Sequence, residues 1–154
     1  MRKILLSAIT AAFVVLAHGA SAGQIAKGTN FTVDAEPDGE CKATGCNVKV
    51  TVAAVNGFHV NKEYPYKFKA DDAAGLEFQG TDAGGKNVFS KAAGDFKLDA
   101  DDAKLGGPAR GFMSVRFKAK SGGTKITGKL KLSVCNAANC QMETQDLAIP
   151  VTVK

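Results

Sequence analysis

Residues Lys125–Gln141 read KITGKLKLSVCNAANCQ. Ile126, Leu130, Leu132 and Val134 fall on one parity, and Thr127, Lys129, Lys131 and Ser133 on the other. This period of two marks a half-buried β-strand, because successive side chains leave opposite faces of a sheet. The run stops at Cys135. Four small or polar residues follow, and Cys140 precedes a next strand expected to start near Met142. A cysteine pair should therefore bridge the turn at the tip of a hairpin, with Cys135 on the outward parity and the pair at least partly reachable.

The same alternation recurs along the chain. It places Val48, Val50 and Val52 on one face of NVKVTVAAV, Met113, Val115, Phe117 and Ala119 inward in GFMSVRFKAK, and Leu147, Ile149, Val151 and Val153 inward in LAIPVTV. Pro150 has the outward parity, which fits an edge strand. NFTVDA, YKFKA, LEF, NVFS and DFKLD are shorter strand candidates. Asn56-Gly57, Ala83–Gly85 and Gly106–Gly111 mark breaks, and Ser121–Thr124 (SGGT) is expected to join two long strands as a hairpin. Asp99–Gly106 is the one weak helical candidate, a single turn at most. Eight or nine short strands without a convincing helix predict an all-β fold, an immunoglobulin-like antiparallel β-sandwich.

Residues 1–22 have the layout of a cleaved signal peptide: Arg2 and Lys3, an apolar core from Ile4 to Ala17, and the small-x-small site Ala20-Ser21-Ala22. The apolar core is short for a membrane span, which takes ~20 residues. The expectation is an exported protein, periplasmic or secreted, in which 23–154 form one domain without stable membrane insertion. The formal charge of +5 becomes +3 once Arg2 and Lys3 are removed. With no basic run, nucleic acid is not an expected partner.

Four cysteines in an oxidising compartment argue for disulfides, and three connectivities are open. Cys41-x4-Cys46 and Cys135-x4-Cys140 share a spacing, so two local pairs are the simplest assignment. A zinc site of four thiolates is the competitor. Cys41–Cys46 flanks a turn before the Val48 strand and reads as a structural disulfide. For Cys135–Cys140, closing a loop of roughly six residues stabilises by about 2 kcal/mol in the chain-entropy description, against about 4–5 kcal/mol for a bridge between distant strands. A local pair is a weak staple whose thiols remain neighbours after reduction, which suits reversible chemistry.

LKLSVCNAANCQMETQDLAIPV resembles the corresponding stretch of the periplasmic N-terminal domain of the thiol:disulfide interchange protein DsbD and its stand-alone relatives. GFHVNKEYPYKF (Gly57–Phe68) resembles the glycine–aromatic–His–x–Asn segment of many such domains. The two motifs span about a quarter of the region after residue 22. The resemblance implies an immunoglobulin-like sandwich whose cysteine pair cycles between dithiol and disulfide, exchanging electrons with a thioredoxin-like or membrane thiol-transfer partner. Carried over, Cys135 and Cys140 are the catalytic pair, working by thiolate attack through a mixed disulfide. Which sulfur attacks is left open, with Cys140 a marginal first choice. The chain shows neither that protein's membrane domain nor its thioredoxin-like domain, so a reductant is expected in trans. No residue can be matched to the family's cap loop.

His59 lies on the parity opposite Phe58 and Val60, outward if extended. It would tune a thiol only if its strand end lay against the Cys135 loop, since a neighbouring imidazolium favours a thiolate. Asn61, Tyr64 and Tyr66 could frame the same edge. No G-x-S-x-G, H-E-x-x-H or nucleotide loop is present, and neither cofactor nor metal is expected. The alternative is a non-catalytic binding or scaffold sandwich with two permanent disulfides, contacting a partner through Lys118, Lys120, Lys129 and Lys131 on the outer face of the expected hairpin.

Overall fold

The computed structural model describes residues 23–154, so the expected signal peptide lies outside the described residues. Thirteen strands alternate with turns, and no helix occurs among these residues. The first sheet holds β1 (Gly23–Lys27), β2 (Phe31–Pro37), β3 (Cys46–Ala54), β11 (Arg110–Ala119) and β6 (Leu76–Phe78) in that order, with β8 (Phe96–Leu98) also on β11. The second runs β13 (Cys140–Val153), β12 (Gly122–Cys135), β5 (Lys67–Ala70), β7 (Val88–Ser90), with β4 (His59–Val60) also on β12. All pairings are antiparallel. A small hairpin, β9 (Asp101–Asp102) with β10 (Gly107–Pro108), stands apart from both sheets.

The alternation is realised as predicted. Val48, Val50, Val52, Met113, Val115 and Phe117 are fully buried from the first sheet, and Ile126, Leu130, Leu132 and Val134 from the second. They join one apolar core between two sheets, which makes the molecule an antiparallel β-sandwich. Burying side chains of this size stabilises the fold by roughly 1.5–3 kcal/mol each relative to leaving them in water. Aromatic rings fill one end: Tyr66 stacks on Phe96 at 4.0 Å between centroids, and Tyr64 meets Tyr66 edge-on at 5.3 Å.

Three local expectations are corrected. Ser121–Thr124 is not a hairpin turn. β11 pairs with β3, β6 and β8, whereas β12 pairs with β13, β5 and β4, so the chain crosses from one sheet to the other there. Gly122, at φ 120°, takes a conformation that favours glycine. The crossing lets the apolar faces of β11 and β12 confront each other across the core, whereas a hairpin would lay them side by side. Consequently Lys118, on β11, and Lys120, in the crossover after it, lie outside the sheet that carries Lys129 and Lys131, and the four form no common face. The second concerns Asp99–Gly106, where the single turn expected at most is confined to the link from β9 into β10 and the flanking residues pair as strands. Leu105 N–H and Gly106 N–H both donate to the Asp102 carbonyl, and the chain then reverses into pairing with β9. The third concerns the ends of strands. β13 begins at Cys140 rather than near Met142, and β1 had no periodic signal. β13 is an edge strand, as Pro150 indicated.

Candidate functional site

β12 and β13 pair without a register slip over their full fourteen residues, ending at Cys135 opposite Cys140. The turn between them closes on its own hydrogen bonds. Asn136 N–H donates to the Asn139 carbonyl at 2.9 Å, and Asn136 Oδ1 accepts from Ala138 N–H and Asn139 N–H at 2.9 Å each. Asn136 is thus an Asx-type brace that sets the two cysteines face to face. They are joined as a disulfide with Cα atoms 4.0 Å apart.

The two sulfurs differ in access. Cys140 is exposed, while Cys135 is only 5% exposed. The pair is partly reachable, as expected, but through Cys140 alone; the outward exposure expected of Cys135 is corrected. The parity is right, but that face is covered at the strand end. β4 pairs on the other side of β12, with Val60 opposite Val134 and His59 opposite Cys135. Directly opposed residues project from the same face. His59, Cys135 and Cys140 thus form a row across three strands spaced about 4.8 Å apart. The condition for His59 to act on the thiol pair, contact of its strand end with the cysteine loop, is met in the fold.

His59 is half-buried rather than openly outward. Its Nδ1 lies 2.9 Å from the Leu105 carbonyl oxygen. A carbonyl only accepts, so Nδ1–H is the donor and Nε2 is the nitrogen left for other partners. A Cβ on Gly107 would stand 2.5 Å from the imidazole Cδ2, so only glycine allows this approach of β10 to the ring. Lys62 pairs with Asp101 at 2.7 Å and ties the same hairpin to the segment after β4. The β9–β10 hairpin therefore roofs His59.

The other named residues act beneath the row. Asn61 N–H donates to the Ser133 carbonyl at 3.0 Å, and Asn61 Nδ2 to Ser133 Oγ at 3.3 Å. Tyr66 is fully buried and is not a site-edge residue. Its hydroxyl donates to the same Ser133 carbonyl, two residues before Cys135. Burial pushes this hydroxyl well above the usual tyrosine range, against the opposing pull of that hydrogen bond. Tyr64 is half-buried and packs edge-on against Tyr66. Asn61, Tyr64 and Tyr66 thus hold the end of β12 in place. On the opposite flank Asn30, in the bend between β1 and β2, donates to Gln141 at 2.9 Å.

Sequence patterns did not reveal Leu105, Gly107, Ser133, Asn136 or Met142 as parts of this region. Two carried a usable signal: the glycine pair at 106–107 marks a close backbone approach, and Asn directly after a strand marks a turn. Met142 follows Cys140 by two on the outward row of β13 and is 70% exposed, the single large apolar side chain so exposed among the described residues.

Cys41 and Cys46 form the second disulfide, and both sulfur-bearing residues are buried. The C-terminus docks on them: Lys154 N–H donates to the Cys41 carbonyl at 2.9 Å. β13 runs between this point and Cys140, so the two pairs lie at opposite ends of the sandwich, roughly 40 Å apart at the rise of a strand. One zinc ion cannot reach all four thiolates. No group of three or more His, Cys, Asp or Glu among the described residues is placed to hold a metal ion.

No family model, curated protein or solved structure matches the chain.

Proposed function

We propose that this chain is an exported thiol:disulfide interchange domain, of the immunoglobulin-like type that the DsbD resemblance implies. It relays reducing equivalents through Cys135 and Cys140 to or from thioredoxin-like partners. The observation that carries the proposal is the asymmetric disulfide at the hairpin tip, with Cys140 exposed and Cys135 buried beside His59.

The chemistry balances as follows. A partner thiolate attacks Cys140 Sγ, a partner–Cys140 disulfide forms, and Cys135 leaves as a thiolate. The partner's second thiolate then attacks its own sulfur in that bond. Cys140 leaves reduced, and the partner leaves oxidised, having delivered two electrons. In the onward step, Cys140 thiolate attacks the target disulfide. Cys135 thiolate then attacks Cys140 Sγ, restoring the internal bond and releasing the reduced target. Cys140 is the sulfur a partner can reach, and Cys135 is the resolving one. A protonated His59 next to Cys135 would favour its thiolate, the form in which it leaves and later attacks. No cofactor is required. Cys41–Cys46, buried and docked on the C-terminus, stays a structural disulfide.

The deciding experiment is the reduction potential of Cys135–Cys140, measured by equilibration in dithiol buffers followed by thiol trapping and peptide mass. A value of roughly −270 to −120 mV supports the relay; one below about −300 mV makes the pair a permanent staple. That second outcome would favour a non-catalytic scaffold with two permanent disulfides.

A further inference from the structure

β13 is the outermost strand of its sheet, and its outer edge begins at Cys140. The direction of its free backbone groups follows from the ladder. Asn136 N–H bonds to the Asn139 carbonyl, so the next pair inward, Cys135 with Cys140, is a non-hydrogen-bonded pair of the antiparallel ladder. Two further bonds agree. The Ser133 carbonyl receives Asn61 N–H and the Thr127 carbonyl receives Asp71 N–H, both on the side of β12 away from β13. Opposite Cys135, Ser133 and Thr127 stand Cys140, Met142 and Ala148. These residues, with Thr144 and Asp146 between them, therefore turn their N–H and C=O groups outward from the sheet. No strand pairs with them among the described residues.

Natural edges are usually blunted by proline, lysine, bulges or brevity. Here Pro150 blunts only the far end, where β1 also packs nearby. From Cys140 to Ala148 the edge has no proline, no lysine and no register slip, and of its two acidic residues, Glu143 and Asp146, the second is neutralised by Lys129. The edge starts at Cys140, the one exposed cysteine, and carries Met142, the one strongly exposed large apolar side chain among the described residues. The adjoining outer face is basic. Lys69 stands opposite Lys129 and Lys67 opposite Lys131. Lys129 is paired with Asp146, and Lys67 lies 3.9 Å from Asp82, while Lys69 and Lys131 have no ion-pair partner among the described residues. Like charges set directly opposite each other are unfavourable without an outside counter-charge.

The geometry points to β13 as a docking edge. An extended, cysteine-bearing segment of an acidic partner adds to it as a further strand, with its cysteine opposite Cys140 and a carboxylate reaching across β13 toward Lys131, which stands opposite Thr144. This deepens the interchange reading and rests on it. Residues facing Cys140 across the new ladder would have Cα atoms about 5.5 Å apart, within the range a disulfide spans. Backbone pairing would hold the segment for exchange, and charge would select it.

The test uses Cys135→Ala, which leaves Cys140 as a single reachable thiol. The probes are symmetrical disulfides of extended seven-residue peptides with one terminal cysteine and alternating valine and glutamate. One form is unmodified and one is N-methylated on the amides that would face β13. A third is N-methylated on the opposite amides, and a fourth has lysine for glutamate. Mixed disulfide at Cys140 is read by mass at equilibrium. The expected result is at least a tenfold loss with edge-facing methylation and less than twofold with the opposite set. The acidic peptide should lead the basic one by about tenfold at low salt, with the difference fading toward 1 M. Equal capture of all four peptides overturns the inference, as does dimerisation of the free protein through β13. The potential of the wild-type pair is measured separately. Edge-independent capture with an exchangeable pair removes the docking edge alone, while edge-dependent capture with a pair as hard to reduce as a structural disulfide removes the relay alone.

Discussion

Removal of the Cys135–Cys140 bond by Cys135→Ala/Cys140→Ala probes whether the pair can cycle without endangering the fold. The bond closes a loop of roughly six residues, worth about 2 kcal/mol if the open chain were otherwise unconstrained. The turn is already closed by the Asn136 brace and by fourteen residues of continuous ladder, so that figure is a ceiling. Truncating the buried Cys135 adds about 1 kcal/mol for its lost contacts, since little more than a methyl-sized group is removed. The total loss is therefore at most about 3 kcal/mol. Domains gain about 2.1 cal/mol/K of entropy per residue on unfolding, so a chain of roughly 130 residues has about 0.27 kcal/mol/K, and Tm should fall by about 11 °C or less. Calorimetry and urea titration followed by circular dichroism check this, and the m-value should stay unchanged. A fall above about 20 °C, or loss of the cooperative transition, would refute the reasoning. It would show that the tip needs its disulfide to fold and that the reduced state is not a working form.

In the reduced protein, Cys140 should be alkylated by iodoacetamide at least about tenfold faster than Cys135, following exposure of the thiolate; equal rates in a mass-resolved time course would contradict the assigned roles. Tyr66→Phe removes the hydroxyl bond to Ser133 and should cost about 1–2 kcal/mol by urea melt, with the Asn61 bond still holding that carbonyl. Burial raises the Tyr66 pKa above its unfolded value near 10, so the unfolded state gives up a proton that the native state keeps. The corresponding stability is whole below about pH 10 and is lost as pH rises beyond it, by up to about 1.4 kcal/mol per pH unit. In Tyr64→Phe, where Tyr66 is the remaining tyrosine, phenolate absorbance should appear only together with unfolding; a phenolate in the folded protein near pH 10 would refute this. Gly107→Ala places a methyl against the His59 ring and should cost about 1–3 kcal/mol, with a displaced imidazole signal in NMR as the check.

The elements and the site were legible to different depths. Period-two alternation around Leu130 and Val115 was enough for strands, inner faces and an all-β class, because burial of one face acts on every second residue wherever the strand is placed. Pro150 disclosed its edge because a missing N–H is tolerated in few places. Local disulfides were the simplest of three pairings that the shared spacing left open, and the folded chain forms both because each pair closes a short turn. Partnership between strands was not legible. SGGT looks the same whether it turns a hairpin or crosses between sheets, and the choice depends on which distant strands satisfy β11 and β12. For the same reason the lysines at 118 and 120 parted from those at 129 and 131 and gave way to Lys67 and Lys69. The candidate site shows this most sharply. Local sequence brings Cys135 to Cys140, but His59 reaches Cys135 only because β4, seventy-odd positions upstream, takes the other side of β12. Likewise, a backbone hairpin with little apolar patterning roofs His59 through Leu105 and Gly107. Contacts made by carbonyls and by absent side chains leave almost no trace in residue type. They determine that Cys135 is shielded and Cys140 open, a difference that two cysteines of identical chemistry cannot announce in sequence.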